Sequence, residues 1–327
     1  MKVLVTGASG LLGGAVARQV AEAGHEVTTF QRRPSGVPGG RDVLGSMTNP
    51  RAVAAAVRDQ DAVVHLAAKV SLTGAPAEFD AVNVQGTRSL VEAMRASSVP
   101  RLVFVSSPSV AHGGSSIVGD DALPASPGHA RGDYARTKAA AERLALGAAD
   151  ADLRVVAVRP HLVWGPGDTQ LVERIVDRAR AGRLPLLDHG AALIDSTYVD
   201  NAASGIAAAL ERVDAVSGGA YVITNGEPRT VADLMAGICG AAGVPAPHLR
   251  VPAAVARAAG SLVERVWTVR PGADEPPMTR FLAEQLSTAH WFDQRRTRRD
   301  LRWTPAVSVD EGLRRLAAWY AAGQPPV

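Results

Sequence analysis

Cysteine is almost absent from this 327-residue sequence. Cys239 is the only one, so no internal disulfide and no cysteine-built metal centre can form, and the usage fits a reducing compartment. Aromatic residues make up 4%, and the 35 basic and 32 acidic side chains leave a net charge of +3. A nucleic-acid surface needs a basic stripe interleaved with aromatics, and the one local excess, Arg295, Arg296, Arg298 and Arg299, reads as a solvated face. No apolar run approaches the roughly 20 residues that span a bilayer. Met1 to Gly7 reaches a glycine turn before any signal-peptide core could form, so a cytoplasmic location is expected. The eight histidines are dispersed without ligand spacing, and no metal site is expected.

What is present is alternation. Short β-branched runs beginning at Lys2, His25, Ala62, Leu102 and Arg154 are separated by helical patterns at Gly13 to Ala23, Pro50 to Arg58, Val82 to Ala96 and Tyr134 to Ala148. Parallel βαβ units give this rhythm, so the fold expected is α/β, a doubly wound parallel sheet of the Rossmann kind with a smaller C-terminal region. Residues 1–165 would form the core, with a return at about 193–225 through the strand-like Tyr221 to Thr224. Residues 166–192 and 226–327, where Gly and Pro break the rhythm, would hold substrate.

Val3-Leu4-Val5 runs into Thr6-Gly7-Ala8-Ser9-Gly10-Leu11-Leu12-Gly13 and then a helix. In that context Gly7 serves a tight turn, Gly10 lets backbone N–H groups approach a pyrophosphate, and Gly13 lets helix and strand pack closely, which predicts a dinucleotide site. The second strand ends in Gln31-Arg32-Arg33, without the acid that would hold a ribose 2′-hydroxyl. Arg32 suits a 2′-phosphate and points to NADP(H) over NAD(H), the alternative being a solvated arginine.

Tyr134 and Lys138 are four residues apart on a predicted helix, which places phenol and ammonium one turn apart on one face. The ammonium is expected to lower the phenol's pKa so that it can protonate a carbonyl oxygen as hydride arrives. The third group is a hydroxyl at the end of the Leu102 strand: Ser107, with Ser106 and Ser109 as alternatives. Any one of these motifs arises by chance; their combination is what carries weight.

Together these residues resemble the extended short-chain dehydrogenase/reductase family over essentially the whole chain. The likeness extends to Asp42-Val43, His65-Leu66-Ala67-Ala68-Lys69, Asn83-Val84-Gln85-Gly86-Thr87, Arg159-Pro160, Gly165-Pro166-Gly167-Asp168 and Tyr198-Val199-Asp200-Asn201. Within the family the sequence is similar to the 3β-hydroxysteroid dehydrogenase-like branch. Ser106-Ser107-Pro108-Ser109-Val110 and Arg159 to Asp168 look like its reductases of 2-alkyl-3-oxoalkanoic acids. The resemblance implies ketone reduction with NADPH in long-chain olefin or β-lactone biosynthesis. It also implies cofactor contacts at Asp42, Val43, Ala67, Ala68, Lys69 and Pro160, besides the glycine loop, Tyr134 and Lys138. A homodimer is expected. Ser71 to Gly74 and Arg302 depart from the pattern, which leaves the acyl chain open.

A two-chain acid needs an apolar cleft and a partner for its carboxylate. Lys69, His112 and His161 are candidates for the latter, with Ser109 and Trp164 lining the site; surface exposure and core packing are the competing readings. Trp267 is a further cleft or core candidate. The amphipathic segment from Pro252 to Thr268 suits core or dimer burial, with a membrane surface or a pathway enzyme as alternative partners. Rival activities for the same fold are a steroid dehydrogenase, a nucleotide-sugar epimerase or dehydratase, and a non-enzymatic NADP sensor.

Overall fold

The computed structural model of the chain describes residues 1–71, 74–269 and 280–324. Seven strands, β1 (Lys2–Thr6), β2 (Glu26–Gln31), β3 (Arg41–Leu44), β4 (Ala62–His65), β5 (Arg101–Val105), β6 (Arg154–Pro160) and β7 (Ala220–Ile223), make one sheet. Their order is β7-β6-β5-β4-β1-β2-β3, and every neighbouring pair is parallel. Helices α1 (Leu11–Glu22), α2 (Pro50–Val57), α3 (Gly86–Ala96), α4 (Gly132–Gly147) and α5 (Val199–Val216) cover both faces.

Double coverage explains why the strands are apolar throughout rather than alternating. Val3 and Val5 enter one core with Val16 and Ile206, while Leu4 enters the opposite core with Val53, Leu90 and Leu102. The chain leaves β1 toward β2 and β3, then crosses back to β4, so strand order reverses between β1 and β4. The crevice at the C-terminal ends of these strands is where such sheets bind ligands.

Two elements differ from the expectation. β3 is a short polar edge strand without hydrophobic periodicity, and it owes its place to pairing with β2 through Thr29 and Asp42. The helix expected from Val82 is preceded by a π-helical turn, Asp80–Gln85, which puts Asn83 into the interior before α3 begins.

A four-stranded sheet lies across the C-terminal ends of β6 and β7. It is built in the order Arg229–Thr230, Leu193–Ile194, His290–Phe292 and Ile117–Asp120. Asp195 joins it to the main sheet, its carbonyl bonded to His161 Nδ1 at 2.8 Å and its carboxylate accepting from Thr224 Oγ1 at 2.7 Å. Helix Ala253–Val269 occupies the amphipathic segment, and the side chain of Trp267 lies outside the described residues. Among the described residues no helix is long and apolar enough to cross a membrane.

Candidate active site

The loop from β1 to α1 is shaped by glycine at two positions for different reasons. Gly7 has φ +80°, and a Cβ on it would meet Ala67 N at 2.9 Å; a Cβ on Gly13 would lie 2.2 Å from Gly7 O. Gly10, with φ −95°, needs no special backbone, and a Cβ there would meet only Gly7 O at 3.6 Å. It leaves clearance above the first turn of α1, where Ser9 and Gly10 are exposed and Leu11 and Leu12 partly so. No side chain caps that helix and no acid stands in its first turn, so its N–H groups and dipole face the crevice.

At the end of β2, Arg32 and Arg33 are exposed. The strand end itself carries no acid; Asp42, expected as a cofactor contact, stands on β3 opposite Thr29 of β2. Asp42 accepts from Thr29 Oγ1 at 2.5 Å, Gln31 Nε2 at 2.8 Å and the Ser35 amide at 3.2 Å. The Thr29 bond, foremost among these, holds its carboxyl below the usual range. Val43 follows it, partly buried.

A buried polar chain ties the glycine loop to α4. Thr6 Oγ1 accepts from the amides of Leu66 and Ala67, each at 3.1 Å, so its own proton goes to His65 Nδ1 at 2.7 Å. Thr87 gives its proton to Asn83 O at 2.6 Å and can only accept from His65 Nε2 at 3.2 Å. The imidazole is therefore neutral with its proton on Nε2, and burial, reinforced by Lys138, pulls its pKa down to about 3. Asn83 then spans two elements, accepting from Lys69 N at 2.8 Å and donating to Thr137 Oγ1 at 3.0 Å. Thr6 and Thr87 lie within the stretches Thr6 to Gly13 and Asn83 to Thr87 already singled out, but their bonds to His65, and that of Thr137 to Asn83, have no signal in the sequence.

On α4, Tyr134 and Lys138 are one turn apart. Ser109 donates its hydroxyl to Ser107 Oγ at 3.0 Å, and Ser107 draws the pKa of the Tyr134 phenol down. Ser106 is buried, and its hydroxyl has no hydrogen-bond partner among the described residues. Lys138 is 3% exposed, donates to Val105 O at 2.7 Å and lies 4.2 Å from the Phe104 ring centroid. Burial draws this ammonium down to about 8, with Glu142 pulling the other way. Glu142, one further turn along α4, is itself bound by the buried Arg159 of β6 through Nε at 2.9 Å and through Nη2.

The expected acidification of the phenol is not what the geometry gives. Burial pushes Tyr134 up to about 12, opposed by Ser107 and not by Lys138, whose ammonium is turned toward Val105. Tyr134 is a protonated donor at neutral pH. Pro160 is buried at the end of β6, beside the Ser106 strand end, and Ala67 and Ala68 are partly buried at the end of β4.

The substrate candidates separate. Trp164 is fully buried, donates to Ser196 Oγ at 3.0 Å and stacks edge-on against Tyr198, so it belongs to the core and does not line a cleft. The Lys69 cation is engaged by Glu78 at 2.7 Å over the Phe79 ring. His161 donates from Nδ1 to the Asp195 carbonyl, which leaves Nε2 an acceptor, and burial pulls its pKa to about 4. A neutral acceptor does not by itself hold a carboxylate. Among the described residues no histidine, cysteine and carboxylate group has metal-binding geometry.

A model of the NAD dependent epimerase/dehydratase family matches residues 3–224. The 2-alkyl-3-oxoalkanoate reductase of Stenotrophomonas maltophilia (strain K279a) is 43% identical over 98% of this chain and 100% of its own length. The 3-beta-hydroxysteroid dehydrogenase of Mycolicibacterium neoaurum is 31% identical over 98% of this chain and 91% of its own. Among solved structures, gox2253 superposes with a TM-score of 0.79 at 25% identity, covering 98% of each chain.

Proposed function

Since the chain belongs to the NAD dependent epimerase/dehydratase family and is an NAD(P)-dependent oxidoreductase of the extended short-chain type, we propose that it reduces the ketone of a 2-alkyl-3-oxoalkanoic acid to the 3-hydroxy acid with NADPH. The observation that carries this is the grouping of Ser107, just beyond β5 and accepting from Ser109, with Tyr134, whose phenol it influences, one helical turn from the buried Lys138. Full-length similarity to a reductase of that name supports the acid substrate, and the reading extends to a place in long-chain olefin or β-lactone formation.

The residues at the crevice fit a dinucleotide. Gly10 leaves room for a pyrophosphate over the uncapped end of α1, Arg32 is exposed where a 2′-phosphate would come, and Asp42 is already committed to Thr29, Gln31 and Ser35. The reduced nicotinamide supplies the hydride. Ser107 and Tyr134 donate to the ketone oxygen, polarising it and stabilising the charge that develops there. An alkoxide is far more basic than a phenolate, so Tyr134, held protonated by burial, gives up its proton downhill at that moment. Lys138, its ammonium turned toward Val105 O, would hold the cofactor, and the polar chain from Thr6 to Thr137 keeps α4 in register with the glycine loop.

A substrate panel followed by NADPH consumption tests the reading. Turnover of 2-alkyl-3-oxo acids, absent in Tyr134→Phe while NADPH still binds, is expected. Turnover of steroids or nucleotide sugars in their place would overturn the substrate assignment, and near-normal rates in Tyr134→Phe would overturn the acid.

A further inference from the structure

Three buried histidines from separate segments meet where the small sheet covers the ends of β6 and β7. His112 closes the single 3-10 turn that follows Ser107, His161 follows Pro160, and His290 opens the strand His290–Phe292. The rings of His112 and His290 stand edge to face with centroids 4.7 Å apart, and those of His161 and His290 at 5.8 Å.

Hydrogen bonds fix two of the tautomers. His161 carries its proton on Nδ1 and a lone pair on Nε2, because a carbonyl only accepts. Thr288 gives its proton to Glu284 O at 2.7 Å and so accepts from His290 Nε2 at 3.0 Å. That leaves His290 Nδ1 a lone pair, without a partner among the described residues. His112 differs from both: it is 2% exposed and neither ring nitrogen has a hydrogen-bond partner among the described residues. A buried N–H without an acceptor is an uncompensated cost, and groups left in that state concentrate where a ligand completes them.

The charged groups facing the cluster are Arg131 and Glu284, paired with each other at 3.5 Å beside His112, and Asp195. The Asp195 carboxylate is taken by Thr224, Gly226 and Glu227. A 3-oxo acid carries its carboxylate two bonds from the ketone, so the group that receives it stands close to Ser107, and the turn that begins there is one place for it. His112 closes that turn, and Lys69 is engaged by Glu78.

We propose that the His112, His161 and His290 cluster is the carboxylate subsite: His112 donates its N–H to the substrate anion, and the cluster binds one solvent proton as that anion enters. This rests on the oxo-acid reading above. The proton adds to an imidazole lone pair, on His290 Nδ1 or His161 Nε2, and no substrate bond is broken. Burial keeps the rings neutral, with His161 pulled to about 4, His290 to about 3 and His112 below its ordinary value. An anion among them favours the charged form.

Calorimetric titration of the full chain saturated with NADPH, which cannot react with an alcohol, tests this, using a 2-alkyl-3-hydroxy acid and its methyl ester in buffers of different ionisation enthalpy. Uptake of about one proton per acid and none per ester is expected. The acid should bind about tenfold or more tighter than the ester, the scale of one charge-assisted hydrogen bond. His112→Phe is expected to abolish that preference, and His112→Asn, which keeps a donor, to retain part of it. Equal binding of acid and ester without proton uptake by the unsubstituted chain sinks the subsite and leaves the ketone reductase standing. If neither binds while a steroid or nucleotide sugar is turned over, the oxo-acid reading falls and the subsite with it.

Discussion

Ser109 donates its hydroxyl proton to Ser107 Oγ across 3.0 Å, so the proton of Ser107 is left for another acceptor, Tyr134 or a substrate oxygen. Direction matters here because a hydroxyl that is already accepting becomes the better donor. Ser107→Ala removes one of two donors aimed at the reacting oxygen and is expected to lower kcat by about 10²–10³-fold. Ser109→Ala removes only the polarising bond, and a loss of about tenfold or less is expected, the scale of one neutral hydrogen bond. Steady-state kinetics of the two variants checks the ranking; a larger loss in Ser109→Ala would mean that it is the residue meeting substrate.

The pH profile follows from two opposed displacements. Lys138 is pulled down to about 8 and Tyr134 pushed up to about 12, in both cases chiefly by burial. Reduction needs the ammonium and the phenol, both of which are the protonated forms. Activity is therefore full below the lysine's pKa and falls as pH rises through about 8, well before the phenol ionises. The profile of kcat/KM, which reports the free enzyme, is expected to show this alkaline limb, and Lys138→Arg, charged at every accessible pH, to remove it at reduced kcat. A limb that persists in Lys138→Arg would assign it to another group.

The sheet and the shared helix face of Tyr134 and Lys138 were legible because each rests on a local rule. Fully buried strands announce themselves as Val3-Leu4-Val5 and Val63-Val64, and a four-residue spacing places Tyr134 and Lys138 on one helix face whatever the tertiary context. What was not legible depends on neighbours remote in sequence. Asp42 stands beside the end of β2 only because β3 pairs there, eleven residues on from Gln31. Trp164 reads as core with the cleft as its alternative, and Ser196 and Tyr198 decide for the core. The phenol's pKa went the other way because spacing along a helix gives proximity and not the direction of a flexible ammonium, which Val105 O turns aside.

Glu142 and Arg159 are 1% and 2% exposed in their side chains and form a bidentate pair behind Lys138. Glu142→Gln leaves a buried guanidinium with half its partner and is expected to cost about 3–5 kcal/mol of stability, read as a lower midpoint in urea. It also withdraws the charge that favours the Lys138 ammonium. The alkaline limb is expected to move to lower pH in whatever fraction remains folded. Loss of stability with an unmoved limb would reduce the pair to a structural role.

Cofactor choice turns on the end of β2. Arg32 is exposed there, and the neighbouring Asp42 is held by Thr29, Gln31 and Ser35, so the group most available to a ribose substituent is a cation. A guanidinium matches a 2′-phosphate through parallel N–H bonds and gains nothing comparable from a 2′-hydroxyl. Arg32→Ala is expected to raise KM for NADPH by about tenfold or more, the scale of one charge-assisted pair, and to leave KM for NADH within about twofold. Arg33→Ala serves as the neighbouring control, with a smaller change that fades in higher salt because it acts at longer range. If NADH serves as well as NADPH before substitution, and Arg32→Ala alters neither, Arg32 is a solvated surface residue and the preference for NADPH has no basis at this strand end.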